Sequence, residues 1–78
     1  MSRPKQRSLD MYAIYSHPSD FPSSFVVRRW TIDRRPRPDI AAHAIVGTLG
    51  AARKSIPAGL VNVGREPGDD SVIVEVWL

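Results

Sequence analysis

The sequence predicts a small α+β domain: an antiparallel sheet of about four strands in ββαββ order, with one short helix on one face. Three observations carry this reading. Apolar, β-branched and aromatic residues gather in four short runs bounded by Pro, Gly, Ser and Asp. A single stretch, TLGAARKSIPAG, combines helical spacing with an N-cap ahead and breakers behind. The chain has 78 residues, enough for one domain but for a thin core, since such a chain buries only roughly 60% of its unfolded surface.

MSRPKQRS has no apolar residue after Met1, and residues 1–10 are expected to be a disordered basic tail before a domain at 11–78. Met11–Ser16 (MYAIYS) reads as the first strand and HPSDFPSS as a loop. Phe25–Asp33 (FVVRRWTID) is the second and longest strand, expected to pair with the first as a hairpin. Pro36 and Pro38 cannot donate to a ladder, so RRPRPD reads as an exposed break. IAAHAIVG fits either a helical stripe or an extended piece. The glycines at 47 and 50 favour a short extended piece at Ala44–Val46, then a helix capped by Thr48 and stopped by Pro57 and Gly59. Leu49, Ala52 and Ile56 share its apolar face. Leu60–Gly64 is a strand, Pro67-Gly68 fits a type II turn, and SVIVEVWL is the final strand. Period two puts Val72, Val74, Val76 and Leu78 on its core side, with Ser71, Ile73, Glu75 and Trp77 opposite.

The net charge of +3 suggests nucleic acid until it is located. Arg3, Lys5 and Arg7 carry the whole excess: of eleven Lys and Arg, eight remain beyond residue 8, against eight Asp and Glu. There is no cysteine, hence no disulfide or thiolate ligand. The start lacks the apolar run of a signal peptide, and no stretch approaches the ~20 apolar residues of a membrane span. A cytoplasmic protein with no membrane partner is expected.

The stretch FVVRRWTIDRRPRP is the leading candidate for a surface. Arg28, Arg29 and Trp30 lie in the strand; Arg34, Arg35 and Arg37 extend it into the loop. Guanidinium groups grip phosphates and rings stack on bases. The plainer reading outranks this one: a solvated sheet face whose charges protect an edge. Each face of the strand carries one arginine, and Glu75 is a natural cross-strand partner for one of them. Trp30 and Trp77 would form the best contact patch if both face the open side.

His17 and Asp20 suggest a metal pair or an acid–base pair, but a catalytic zinc needs three ligands and the other histidine is His43. A polar turn is the favoured reading. Glu66, Asp69 and Asp70 lack calcium-loop spacing. No nucleophile elbow, phosphate-cradling loop or HExxH occurs. Neither an enzyme nor a cofactor is expected.

MYAIYSHPSDFPSSFVVRRW, TLGAARKSIPAGL and REPGDDSVIVEVWL together resemble a family of small uncharacterised bacterial proteins over roughly Met11 to Leu78. The family has no assigned activity, so the resemblance implies no catalytic residue. It implies a start near the Met-Tyr pair, with residues before Met11 an extension. It also implies acidic residues just after the capping threonine, where this chain has Gly50 and Ala51; the capping box is incomplete and a frayed helix start is expected.

One short helix covers one face of a four-stranded sheet, so the other must meet water or a partner. The expected function is a non-enzymatic interaction module, binding a protein partner or a second copy through the open sheet face. The alternative is nucleic-acid binding through the Arg/aromatic surface.

Overall fold

The computed structural model describes residues 9–32, 35–39, 41–65, 68 and 70–78. The elements are β1 (Leu9–Ser16), β2 (Phe25–Ile32), β3 (Arg37–Pro38), β4 (Ala44–Val46), α1 (Leu49–Lys54), β5 (Asn62–Gly64) and β6 (Ile73–Trp77). The α+β class and the antiparallel sheet with one short helix are as expected. The strand count and order are not: among the described residues there are six strands, in the order β3-β2-β1-β6-β5, with β4 also on β2.

The two additional strands are short and lie along the outer edge of β2. β3 pairs with Trp30 and Thr31, and β4 with Val27, Val26 and Phe25. Between them the Asp39 and His43 amides donate to the Arg29 and Val27 carbonyls at 2.9 and 2.8 Å. Pro38 is tolerated because a proline at a sheet edge forfeits only an outward-facing donor. Of the two prolines that read as a break in the chain, Pro38 therefore sits in a short edge strand, and Pro36 lies just before it.

Leu9 and Asp10 belong to β1, opposite Ile32 and Thr31, so the sheet begins two residues inside the expected tail. Residues 1–8, Arg34 and Pro67 lie outside the described residues, and with them most of the tail and part of the expected turn.

β1 pairs with β2 in unbroken register from Leu9↔Ile32 to Ser16↔Phe25. Residues opposite one another share a face. One face carries Tyr12, Ile14, Phe25 and Val27; Ala52 of α1 packs on it, with Leu49, Ile56, Ala44, Val46 and Leu60 around it. Ile14, Val26 and Val27 are fully buried. Thr48 caps α1 through its hydroxyl, which accepts from the Ala51 amide at 3.1 Å, and the first turn has no acidic residue.

β6 differs in facing from the expectation. It pairs with β1, but a bulge between Glu75 and Ile73 breaks the alternation. Trp77 lies opposite Tyr12 and Glu75 opposite Ile14, so both point to the helix side, and Val76 points to the other. Leu78, expected in the core, is 54% exposed.

Candidate functional site

The face of the sheet away from α1 is as apolar as the face that α1 covers. Met11 and Ala13 come from β1, Trp30 and Ile32 from β2, and Ile73 and Val76 from β6. With Pro36, Val63, Gly64 and Leu78 they line an open groove of about 380 Å3. It runs across the strands from the β3 edge to the β5 edge. Val63 is 53% exposed at its rim.

One end of this face is closed. Val26 is fully buried there, and Asp20 of the 17–24 loop binds Arg28 at 3.1 Å. The loop is itself knit by His17 N–H to the Ser24 carbonyl at 2.9 Å and Phe21 N–H to the Pro18 carbonyl at 2.9 Å. His17 takes a left-handed φ of 52°, and the following Pro18 disfavours the ordinary helical region there. Its Nδ1 is 2.8 Å from Ser16 Oγ, while Asp20 is engaged by Arg28. The two residues thus have different partners. Trp30 Nε1–H donates to Tyr15 Oη at 3.2 Å, a bond that runs along the open face and orients the indole over the groove.

The expected site residues separate. Arg28 and Trp30 lie on the open face, and Arg29 on the helix face opposite Tyr12. Arg29 meets Asp39 at 3.1 Å and Asp10 at 3.7 Å; the charge of Asp39, then that of Asp10, raises its already high pKa. Arg37 lies opposite Thr31, on that same side, and donates to the Arg35 carbonyl at 3.1 Å. Arg35 is exposed beside Pro36.

Glu75 and Trp77 are corrected from the open face to the helix face. Glu75 is 7% exposed and its partner is Arg53 of α1 rather than an arginine of β2. Arg53 Nε reaches both carboxylate oxygens, at 3.1 and 3.0 Å, and Nη2 closes on Oε2. Trp77 Nε1–H donates to Oε1 at 3.1 Å. The Arg53 hydrogen bonds, with help from Trp77, hold the Glu75 carboxyl below its ordinary range against the opposing push of burial. The two tryptophans lie on opposite faces and do not form one patch.

Sequence reasoning missed Met11, Ala13, Ile32, Val63, Ile73, Val76 and Leu78 as groove residues. The signal was present in β1, where Met11, Ala13 and Tyr15 are as apolar as Tyr12 and Ile14. Such two-sided apolarity marks a strand meant to be covered twice.

Among the described residues no three His, Asp or Glu side chains cluster to hold a metal, and no helix is long and apolar enough to cross a membrane. No protein-family model, curated protein or solved structure matches the chain.

Proposed function

We propose that this chain is a non-enzymatic interaction module that receives an apolar portion of a protein partner in the groove opposite α1. The observation that carries the reading is the groove itself: a sheet apolar on both faces, with a helix, among the described residues, over only one. Trp30 supports it, since an oriented indole is the kind of side chain that anchors interfaces. The nucleic-acid reading loses support from the geometry. Arg28 and Arg29 face opposite sides, and each is bonded to a carboxylate.

The test is site-specific photo-crosslinking in cells, with the reactive side chain at Val63 on the groove or at Lys54 on the helix. A discrete protein adduct is expected from position 63 and not from 54, and Ile32→Asp should remove it. Equal labelling from both positions, or adducts to nucleic acid alone, would overturn the proposal. Oligonucleotide binding that weakens steeply with salt would favour the alternative.

A further inference from the structure

Resting on that reading, we infer that Met11 makes the groove redox-sensitive: oxidation of its thioether to the sulfoxide by a peroxide bars an apolar partner while leaving the fold intact. The place of the sulfur comes first. Met11 lies on β1 opposite Trp30 of β2, and it lines the open groove at half burial. Tyr12 and Ile14, on the other face of the same strand, are buried in the core that α1 covers. A half-buried thioether on an open groove is within reach of a small peroxide. This chain has no cysteine to compete for the oxidant. The sulfur lone pair takes one oxygen from the peroxide, the O–O bond breaks, and water leaves. Sulfur loses two electrons and the peroxide gains them. A methionine sulfoxide reductase reverses the step with two electrons from a dithiol.

What the new oxygen meets decides the effect. A sulfoxide oxygen accepts hydrogen bonds, and an acceptor covered without a donor is costly. Among the described residues that line the groove, Trp30 alone carries a side-chain donor. Its Nε1–H is already given to Tyr15 Oη at 3.2 Å. Around Met11 the other side chains are those of Ala13, Ile32, Ile73 and Val76, which have none to offer. In the open groove water satisfies the sulfoxide. Under an apolar partner the oxygen is stranded. The penalty thus falls on the covered state, whatever sequence covers it, and not on the free fold.

The experiment treats the full chain with hydrogen peroxide. Mass spectrometry of its proteolytic fragments should place one added oxygen on Met11, formed within about ten-fold of the rate for free methionine. A slower reaction would put the thioether out of reach and overturn the inference. The oxidised chain should melt within about 4 °C of the reduced one. A larger drop would mean that the sulfur packs in the core, and would overturn it too. In cells, peroxide should lower the photo-adduct from position 63 about ten-fold, the effect of one stranded acceptor. The Met11→Leu variant should keep its adduct under the same peroxide. An adduct that peroxide leaves unchanged, or lowers equally in Met11→Leu, would overturn the inference and leave the groove reading intact. Absence of any adduct before peroxide would instead remove the groove reading, and the redox control with it.

Discussion

Glu75 shows best how one side chain couples the two layers. It is a carboxylate nearly closed off from water, on the central part of the sheet, held by an arginine from the helix and an indole two residues away. Because the folded carboxyl titrates below its unfolded value of ~4.3, the pair adds stability above that value and loses it as pH falls through the lower, folded one. Glu75→Gln should therefore cost about 1.5 to 3 kcal/mol at pH 7, the range for a hydrogen bond to a charged group. In urea titrations the gap from wild type should stay level from pH 7 to 5 and narrow progressively as pH falls below the unfolded value of ~4.3. A gap that does not narrow at all on acidification would mean that the charge is not what Arg53 recognises. The sequence suggested an arginine of β2 as the partner of Glu75, and the structure gives Arg53 of the helix instead. Alternation alone turned it toward the open face, and a one-residue bulge reversed that.

At the scale of elements, the chain's local chemistry was largely legible. The β1–β2 hairpin, the short strand at Ala44–Val46, the Thr48 cap and the strand ending at Gly64 follow from propensity and breakers, which act within a few residues. The edge strand β3 was not legible, because its pairing depends on where β2 happens to lie and not on any preference of Arg37 or Pro38. The helix is a weak element by composition. It has six residues, a glycine in its first turn and no acid to complete the cap. Gly50 is exposed, and a Cβ built there meets nothing within 4 Å. Gly50→Ala should thus raise stability by about 0.5 to 1 kcal/mol, while Thr48→Ala should lower it by about 1 kcal/mol through loss of the Ala51 hydrogen bond. Thermal melts of the two variants and their double check both signs. A stabilising Thr48→Ala would show that the cap bond does not hold the first turn in solution.

For the molecule as a whole, the asymmetry of cover between the two sheet faces is the organising property. Among the described residues a helix and its flanking segments cover one side of the sheet, and a small loop covers one end of the other. The need for an open face could be read from the element count. The side on which Trp77 would lie could not, since the bulge that settles it is a tertiary feature. The asymmetry has an energetic signature that needs no partner. Ile14 is wholly enclosed beneath α1, whereas Ile32 is half-buried at the open groove on the same two-stranded ribbon. The two truncations remove the same atoms. Ile14→Ala should cost about 2 to 5 kcal/mol, from lost burial plus an unfilled cavity. Ile32→Ala should cost clearly less, about 1 kcal/mol, because part of that side chain already faces water and the space it leaves opens to solvent rather than forming a void. Denaturant unfolding of the two variants with unchanged m-values measures the difference directly. Equal costs would mean that Ile32 is as tightly enclosed as Ile14, and the groove would then be closed in solution, leaving the proposed partner no place to dock.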